Sequence, residues 1–560
     1  MVMKQLTSLL VLITLLIAGC STPSWNTHSQ RSIASEHLSK FDGKEPIAKG
    51  VLELLNEEQN LHNKDLWGAN AFASNIAPEY IPENNPKFPL PYYLVPAEDA
   101  KFLQADSLDK RVSKQLMMMV DGKKYFKLFV HPESEAHYEF MRGTYKYVSQ
   151  DETEFTASPT SSYRSLVVWD HSDLKNKPFI AKVSLDKNVI GSIDRLVSEN
   201  EVERSVANQK VFDRIGLEKL NEMNVKVFPE SAGLVMGKEL PGAPEKLGGQ
   251  LIREIPDEVV NSKTKWLSFS ALMSPNKKPK PLIMDVIKAS GMDSFTFFEE
   301  YMIKSYMKMF ENLSLKSGMN FEPHSQNLCF ETTMDLKPTG KWVVRDFGGV
   351  WPDVFTMAKN NGPVDVYMES TNVKKYKLRG GRSNYISSYV FFYKRQVFDM
   401  MLSQVAMYDE TMTQKKMAQL KAMIDTAFIK QINSYLGLNL KTVPNMNDYK
   451  VIEELVINET RMPEEMPKKP LAESANLKEF ILKKQENEEW ISMAKVKGKT
   501  EFFLTDHGVY EVQKGKVVGM AFFNAQEKEE YKKGTGFVLK LSTQIPVKPL
   551  NCWGLLKTFF

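Results

Sequence analysis

Side chains of the types that bind metal ions and phosphates are concentrated near the middle of this 560-residue chain. The segment FEPHSQN carries four of them within six positions: Glu322, His324, Gln326 and Asn327. The pair Arg345-Asp346 follows, and its aspartate lies nineteen residues after the asparagine. Histidine is scarce in the sequence, with 8 in all, so its presence here is notable. Such a concentration of carboxylate, imidazole and amide groups predicts a binding or catalytic site.

The two polar groups lie at the ends of a predicted β-hairpin. The β-type runs NLCFETT and KWVVRDF flank Pro338-Thr339-Gly340, so Asn327 and Asp346 are expected close together. An amide oxygen and a carboxylate at one place suit Mg²⁺, which takes oxygen ligands and shares them with nucleotide phosphates. A buried Arg345–Asp346 ion pair, with the histidine as a cap, explains the same residues equally well.

A second polar cluster lies in the segments SPTSSYRSLVVWD and FIAKVSLDKNVIGSIDRLV. It comprises one hydroxyl and three cations: Ser162, Arg164, Lys182 and Arg195. Cations that project from strands to one face suit a triphosphate, because arginine offers a planar fork and lysine a compact charge. Charged residues on strands are also common at solvated sheet edges, so each of the three alone is weak evidence.

Together the two clusters resemble the NRPS-independent siderophore synthetases of the IucA/IucC (aerobactin synthetase) type. The shared pattern is SxR, then KxS within a strand, then an arginine about a dozen residues later, then ExHxQN, and finally RDF followed by a glycine. The resemblance covers roughly residues 155 to 400. It is most specific at residues 322–327 and at Arg345-Asp346-Phe347.

The resemblance implies an α+β fold shaped as a cupped hand of fingers, palm and thumb, here with a β-rich C-terminal addition. It also implies an acid-amine or acid-alcohol ligase of siderophore biosynthesis, and therefore a part in iron acquisition. Such an enzyme uses ATP and Mg²⁺ to adenylate a citrate-like carboxylate, after which an amine or hydroxyl displaces AMP. The expected partners are small-molecule carboxylate and amine substrates or a siderophore, with a homodimer left open.

The resemblance further implies a role for each site residue. Contacts to the nucleotide, mainly to its phosphates, are implied for Ser162, Arg164, Lys182, Arg195, His324 and Gln326. Catalysis, through stabilisation of charge as pyrophosphate leaves, is implied for Lys182, Arg195 and His324. Mg²⁺ binding is implied for Glu322, Asn327 and Asp346.

The N-terminus has the features of a lipoprotein signal peptide. Lys4 provides a positive n-region and residues 6–18 an apolar h-region, which is too short for a comfortable membrane span. Gly19-Cys20 completes a segment that resembles the bacterial lipobox, so we expect lipidation of Cys20 and anchoring to a bacterial membrane. Ser21 favours the outer membrane, with the folded part in the periplasm or at the cell surface.

The composition is that of a globular protein, with 42% hydrophobic and 25% charged residues. The net charge of +4 is small beside 73 basic and 69 acidic residues, which argues against a nucleic-acid partner. No CxxC, HExxH, Walker A or GxSxG element is present to indicate another metal site or a hydrolase. Apart from Cys20, the chain contains only Cys329 and Cys552, and their spacing leaves open whether they form a disulfide.

The chain is predicted to divide into six regions. In order they are a lipoprotein signal peptide (1–19), a lipidated tether (20–50), an N-terminal α+β, thumb-like region (51–154), a fingers-like nucleotide-binding region (155–285), a palm-like region with the ExHxQN and RDF motifs (286–470), and a β-rich C-terminal region (471–560).

Local elements follow from periodicity and turn signals. Asp121-Gly122 predicts a hairpin turn, and the runs YRSLVVWD and KPFIAKVSL predict paired strands. Helices are predicted over residues 133–148 and 201–215, and helical periodicity dominates residues 385–436. A further long helix, with Ser294 as its cap and Gly318 as its end, carries Met and aromatic residues that we expect in the core.

The predicted compartment conflicts with the predicted reaction, because ATP is scarce outside the cytoplasm. Three functions therefore remain open. The first is the synthetase, and the second is a non-catalytic surface lipoprotein that uses the same cavity to bind an anionic ligand, a siderophore or a partner protein. The third is a kinase-like phosphotransferase, which ranks lower because the chain offers only Glu322 where a kinase has an aspartate before the asparagine.

Overall fold

The computed structural model describes residues 47–59 and 76–444, with short gaps, and four strands between residues 490 and 522. The gaps comprise residues 174, 191–192, 238–239, 245, 275–279, 354–355, 358–359, 361, 364–365, 368–381 and 437–438. The predicted signal peptide, Cys20, most of the predicted tether and Cys552 lie outside the described residues. No helix in the described part of the chain is long and apolar enough to cross a membrane.

The described part of the chain includes ten α-helices or helices with π-helical stretches. They are α1 (Lys49–Glu58), α2 (Lys110–Leu116), α3 (Glu199–Ile215), α4 (Leu217–Glu222), α5 (Asp257–Val260), α6 (Phe269–Met273), α7 (Leu282–Ser290), α8 (294–316), α9 (382–408) and α10 (Gln414–Leu436). Helices α8 and α9 contain π-helical stretches at Phe298–Ser305, Phe310–Lys316 and Ser388–Asp399. Shorter 3-10 helices occur at Pro78–Tyr80, Pro82–Asn84, Pro132–Met141 and Phe347–Gly349.

The strands up to the first polar cluster are β1 (Phe88–Pro89), β2 (Tyr92–Pro96), β3 (Ala100–Gln104), β4 (Met117–Val120), β5 (Lys123–Phe129), β6 (Lys146–Val148), β7 (Phe155–Pro159), β8 (Ser165–Asp170), β9 (Phe179–Val183), β10 (Leu185–Ile190) and β11 (Ile193–Arg195). Those of the middle of the chain are β12 (Val225–Val227), β13 (Ala232–Met236), β14 (Gln250–Glu254), β15 (Thr264–Ser268), β16 (Met319–Phe321), β17 (Leu328–Thr333), β18 (Pro338–Val344) and β19 (Val350–Pro352). The C-terminal strands are β20 (Trp490–Val496), β21 (Thr500–Thr505), β22 (Gly508–Gln513) and β23 (Lys516–Phe522).

Two sheets carry most of the candidate site residues, either on their strands or in the loops that adjoin them. The larger sheet has seven antiparallel strands in the order β1-β7-β8-β9-β14-β13-β3. It takes β1 and β3 from the region predicted to end at residue 154, so the sheet extends across that boundary. The other sheet has the order β12-β18-β17-β15, with a parallel pair between β12 and β18. Together with the helices they make an α+β protein, as the sequence predicts.

Four smaller groups of strands complete the described structure. An antiparallel sheet has the order β4-β5-β2-β6, and the pairs β10-β11 and β16-β19 are two-stranded. The C-terminal strands form their own antiparallel sheet in the order β20-β21-β22-β23. These four strands lie within the region 471–560 that is predicted to be β-rich.

Several local predictions agree with the structure because short-range interactions determine them. Asp121 and Gly122 both adopt positive φ, 48° and 77°, as a two-residue hairpin turn between β4 and β5 requires. The two runs around the first cations pair as β8 and β9, with Ser165 opposite Lys182. Helix α3 begins after Ser198, whose side chain accepts a hydrogen bond from the backbone of Glu201.

Three predicted element boundaries need correction. Asp293 rather than Ser294 caps α8, because its carboxylate accepts from two backbone N–H groups of the first turn. Residues 133–148 do not form one α-helix; a 3-10 helix is followed by strand β6. Pro338-Thr339-Gly340 lies within β18 instead of in the turn, and Leu336, with φ of 68°, provides the reversal just before it.

The largest hydrophobic core surrounds α8 and α9. Phe297, Met302, Tyr306 and Phe310 on α8 are at most 1% exposed, which confirms the prediction that the Met and aromatic residues of this helix form core. Tyr306 stacks face to face on Tyr393 of α9. This core supports β17 and β18 from one side and so fixes the hairpin that carries the central polar motif.

Candidate functional site

All nine residues singled out from the sequence line one cavity of about 360 Å³. They are Ser162, Arg164, Lys182, Arg195, Glu322, His324, Gln326, Asn327 and Asp346. The first four come from strands and loops of the seven-stranded sheet and from β11, and the others come from the two ends of the β17–β18 hairpin. The cavity volume lies at the lower end of the range of about 300–1,000 Å³ that is usual for ligand sites.

Lys182 lies at the centre of the polar network. Its Nζ lies 2.7 Å from Asp346 Oδ1 and 2.6 Å from an oxygen of Glu201 on α3. The side chain is only 7% exposed. Burial alone would lower the pKa of Lys182, but the two carboxylates outweigh it and raise the pKa above its usual value. The lysine is therefore charged, and it forms ion pairs with both carboxylates.

Asp346 occupies an unusual backbone conformation next to this lysine. Its φ of 67° and ψ of 72° place it in the left-handed region, which aspartate and asparagine tolerate better than most residues. Burial alone would raise the pKa of Asp346, but Lys182 and then Arg253 hold it well below its usual range. The carboxylate is therefore ionised and directed at the cations of the cavity.

Arg345 does not pair with its neighbour Asp346, which was the alternative explanation of this sequence pair. Its Nη1 and Nη2 donate to the two carboxylate oxygens of Glu58, at 2.9 and 3.2 Å. Its Nε donates to the backbone carbonyl of Gln326 at 2.5 Å. The guanidinium therefore fastens the hairpin to α1, whereas Asp346 is held by Lys182.

A second buried arginine supports the turn after β18. Arg253 on β14 donates from Nη2 to Glu230 at 2.6 Å. The other oxygen of Glu230 accepts from the backbone N–H of Phe347 at 2.9 Å. This carboxylate therefore helps hold the residue that follows Asp346 in the left-handed turn.

The remaining cations of the first cluster are Arg164 and Arg195, and Arg164 approaches the same carboxylate oxygen of Glu201 as Lys182 does. Arg164 donates from Nη1 to the backbone carbonyl of Arg195 at 2.8 Å, and its Nη2 lies 3.5 Å from Glu201. This contact connects the loop before β8 to the end of β11. Burial alone would raise the pKa of Glu201, but Lys182 and Arg164 outweigh it and lower the pKa.

His324 is half-buried, and desolvation lowers its pKa to about 4, so the imidazole is neutral at physiological pH. Its Nδ1 accepts a hydrogen bond from the backbone N–H of Gln326 at 3.2 Å. The ring proton of the neutral imidazole is therefore on Nε2. The Gln326 side chain donates to the backbone carbonyl of Ser161 at 3.3 Å, which joins the two loops that border the cavity.

The three oxygen donors predicted for Mg²⁺ fit a hard cation in their chemistry and location. Glu322, Asn327 and Asp346 all line the cavity and offer carboxylate and amide oxygens. Burial raises the pKa of Glu322, and the hydrogen bond from Trp351 Nε1, at 3.2 Å, offsets only part of it. The described residues contain no preformed group of three or more His, Cys, Asp or Glu side chains for a metal. Mg²⁺ would therefore need oxygens from a ligand, as it commonly does.

Several residues of the site were not identified from the sequence. They are Glu58, Glu201, Glu230 and Arg253, together with Phe392 and Gln396 of α9, which line the cavity. The ring of Phe392 lies beside that of His324. Glu201 lies in the first turn of α3, where an acidic residue has an ordinary explanation as a partner of the helix N-terminus. No local signal distinguishes it, because its partners Lys182 and Arg164 lie on other segments.

Comparison with known proteins supports the recognition made from the motifs. A model of the IucA / IucC family matches residues 70–274, which include all four residues of the first cluster. No curated protein gives a significant match. The solved structure of aerobactin synthetase IucA from a hypervirulent pathotype of Klebsiella pneumoniae is similar at 14% identity, with a TM-score of 0.50, over 77% of this chain and 75% of that chain.

Two further solved structures are similar. An ATP-bound form of the same synthetase matches at 16% identity, with a TM-score of 0.48, over 69% of this chain and 67% of that chain. The petrobactin biosynthesis protein AsbB from Bacillus anthracis matches at 15% identity, with a TM-score of 0.49, over 67% of this chain and 64% of that chain. At these identities the structural similarity concerns the fold. The sequence match covers residues 70–274, and with them the first motif cluster, so this part of the chain is similar to the IucA / IucC family.

Proposed function

We propose that this protein is a siderophore synthetase-like ligase that uses ATP and Mg²⁺ to join a citrate-like carboxylic acid to an amine or a hydroxyl. One observation carries the proposal: the cations suited to a triphosphate and the oxygens suited to Mg²⁺ line the same cavity. Lys182 and Asp346 lie 164 positions apart in sequence, yet they are in direct contact there. The family match supports siderophore-type chemistry.

The proposed reaction has two steps. A carboxylate oxygen of the acid attacks the α-phosphorus of ATP, the bond from that phosphorus to the bridging oxygen breaks, and pyrophosphate leaves. The amine nitrogen or hydroxyl oxygen then attacks the acyl carbon, the acyl–oxygen bond breaks, AMP leaves, and the nucleophile loses a proton. Cleavage of one phosphoanhydride bond thereby activates the acid.

The cavity residues suit the first step electrostatically. Lys182, Arg164 and Arg195 would bind the phosphates and stabilise the charge that develops on pyrophosphate. His324 is neutral, and its Nε2–H would donate to an oxygen of the nucleotide. Glu322, Asn327 and Asp346 would hold Mg²⁺, which neutralises phosphate charge when it is bound.

Ligand binding requires an exchange of partners inside the cavity. In the structure the Asp346 carboxylate neutralises Lys182, so phosphate oxygens must compete with it for the ammonium. Mg²⁺ would help by taking Asp346, because the metal attracts the carboxylate away from the lysine. Glu201 would remain on Lys182 and keep its side chain in place. Binding of ATP is therefore expected to depend on the metal.

The same pairing favours a second candidate, a non-catalytic lipoprotein that binds an anionic ligand or a siderophore. Each of the buried cations Lys182, Arg253 and Arg345 has a carboxylate partner, so the fold retains its charges without turnover. Products distinguish the candidates. A synthetase given Mg-ATP, citrate and an amine releases AMP and pyrophosphate, a phosphotransferase releases ADP, and a binding protein releases neither.

Binding itself is tested by thermal unfolding with and without Mg-ATP. At about 100 times Kd the nucleotide should stabilise the folded protein by roughly 2.7 kcal/mol. Lys182→Ala and His324→Ala should abolish this gain. Lys177→Ala is the matched control, because Lys177 is equally buried between two carboxylates, Asp109 and Asp257, but lies outside the cavity. Absence of stabilisation in the folded wild-type protein would refute ATP as the ligand.

We also propose that the protein is anchored to a membrane through lipidated Cys20. The support is the lipobox-like segment that ends in this cysteine. Metabolic labelling with a radioactive fatty acid should mark the wild-type protein. Cys20→Ser should remove the label, and labelling that persists in this variant would contradict the proposal.

A further inference from the structure

The helix α1 packs against β15 and α5, and it precedes the segment matched by the family model, which starts at residue 70. Its C-terminal residue Glu58 is 1% exposed, and the following Gln59 is fully buried. Neither residue lines the cavity. Polar side chains buried this deeply require specific partners, and their partners are residues of the site and of its bordering loops.

Glu58 contacts both loops that border the cavity. Its carboxylate pairs with the Arg345 guanidinium through two hydrogen bonds, and Oε2 accepts from the backbone N–H of Ser161 at 3.1 Å. Arg345 Nη2 also donates to Ser161 Oγ at 3.0 Å. Burial alone would raise the pKa of Glu58, but Arg345 outweighs it and lowers the pKa, so the carboxylate stays ionised.

Gln59 makes a second attachment one residue later. Its side-chain amide donates to Ser158 Oγ at 2.8 Å and to the backbone carbonyl of Pro159 at 2.7 Å. These two residues end strand β7 and lead into the loop with Ser162. The chain after α1 is therefore bonded directly to the segment that carries the first residue of the SxR motif.

The contacts form a continuous route from α1 to the motif residues. Arg345, held by Glu58, donates to the carbonyl of Gln326, and the Gln326 side chain donates to the carbonyl of Ser161. The backbone N–H of Arg345 also donates to the carbonyl of Asn327 at 3.1 Å. One buried carboxylate thus fixes the separation between the loop of Ser162 and the loop of the ExHxQN motif.

We propose that Glu58 and Gln59 are positioning residues of the nucleotide site, which makes α1 a functional part of the synthetase domain. The inference rests on the proposed ATP-binding function. Its physical basis is that Arg345 lines the cavity, and its guanidinium would be left without its buried counter-charge if Glu58 were neutral. The guanidinium would then turn towards Asp346 or the ligand, and Gln326 would lose its support.

The test compares two buried glutamates of similar surroundings in the full-length protein. Glu58→Gln removes the charge and keeps the size, and Glu58→Asp keeps the charge on a shorter side chain. Glu331→Gln is the control, because Glu331 is 2% exposed, pairs with Lys226 and lies in the same hairpin, but is not at the cavity. Kd for Mg-ATP is measured well below the melting temperature of every variant.

We expect Glu58→Gln to weaken Mg-ATP binding at least tenfold, Glu58→Asp to recover part of the loss, and Glu331→Gln to stay within twofold of wild type. An equal loss in Glu58→Gln and Glu331→Gln would overturn the proposal, because it would reflect stability alone. An unchanged Kd in Glu58→Gln would overturn it as well.

Hydrogen exchange separates this inference from the proposed function, because it needs no nucleotide. In Glu58→Gln, amides of residues 160–164 and 324–328 should exchange at least tenfold faster, whereas Glu331→Gln should leave them protected. Unchanged protection of both segments would refute the positioning role whatever the ligand is. If the wild-type protein does not bind Mg-ATP while exchange responds to Glu58→Gln, the proposed function fails and the positioning role stands.

Discussion

Two variants of Asp346 distinguish the effect of its charge from the effect of its left-handed backbone conformation. Asparagine has nearly the same shape as aspartate and tolerates φ near 67°, so Asp346→Asn removes only the charge. Asp346→Ala removes the charge and also places a residue that disfavours this conformation. Comparison of the two variants therefore isolates the cost of the backbone conformation.

The expected stabilities follow from the contacts of Lys182. Removing one partner of a buried pair can cost about 3–5 kcal/mol. Here Lys182 retains Glu201 at 2.6 Å, so we expect Asp346→Asn to lower the free energy of unfolding by about 1–3 kcal/mol, as for loss of a charged hydrogen bond. Asp346→Ala should lose about 1 kcal/mol more, since a left-handed conformation costs roughly that much.

The effect on binding has the opposite sign in the absence of metal. Asp346 competes with phosphate for Lys182, so Asp346→Asn should bind Mg-free ATP more tightly than wild type. We expect the affinity for Mg-free ATP to increase at least tenfold, which corresponds to about 1.4 kcal/mol. This gain is a fraction of the electrostatic energy between two neighbouring charges in a protein. Addition of Mg²⁺ should strengthen ATP binding in the wild type and have little effect in the variant.

Isothermal titration of ATP, with either Mg²⁺ or EDTA, measures the affinities of both proteins under both conditions. Unchanged Mg²⁺ dependence in Asp346→Asn would refute the assignment of this carboxylate to the metal. Weaker binding of Mg-free ATP by the variant would refute the competition with Lys182. Chemical denaturation of Asp346→Asn and Asp346→Ala gives the two stabilities independently.

Three further predictions concern groups outside the cavity. Burial raises the pKa of the free Cys329 thiol to about 12, so a thiol reagent should modify it only after denaturation; modification at the native rate of a surface thiol would contradict this. Burial lowers the pKa of His131 to about 4, below the unfolded value of about 6.5, so the unfolded state binds the extra proton. Stability should fall by up to about 3 kcal/mol as the pH drops from 6.5 to 4, and His131→Asn should reduce that slope in acid-unfolding titrations. Gly50→Ala should lower the melting temperature, because a Cβ at Gly50 would approach the carbonyl oxygen of Val259 to 1.8 Å, whereas Asn56→Ala, on the exposed face of α1, should not.

Much of the local structure could be predicted because neighbouring residues determine it. The Asp121-Gly122 turn, the strands on either side of it and the helix ended by Gly318 depend on contacts within a few positions. Element boundaries were less reliable. At α8, for example, both Asp293 and Ser294 can cap a helix, and the tertiary contact of Ser294 with Asp409 favours Asp293 as the cap.

The residues of the candidate site could also be predicted, because cations and oxygen donors are concentrated in a few short segments of the sequence. Cations near Lys182 and oxygens near Asp346 form two groups that are each compact in sequence. Their position around one cavity agrees with that expectation. The individual roles of these residues remain proposals that the experiments above address.

The sequence by itself determined the similarity to the IucA/IucC family, the α+β class and the residues that line the cavity, because these follow from motifs and local patterns. The tertiary structure decided which charges neutralise each other. Arg345 pairs with Glu58, which lies 287 positions away, and not with the adjacent Asp346. The physical reason is that an ion pair forms between side chains directed at the same point in space, and adjacent residues in this tight turn point in different directions.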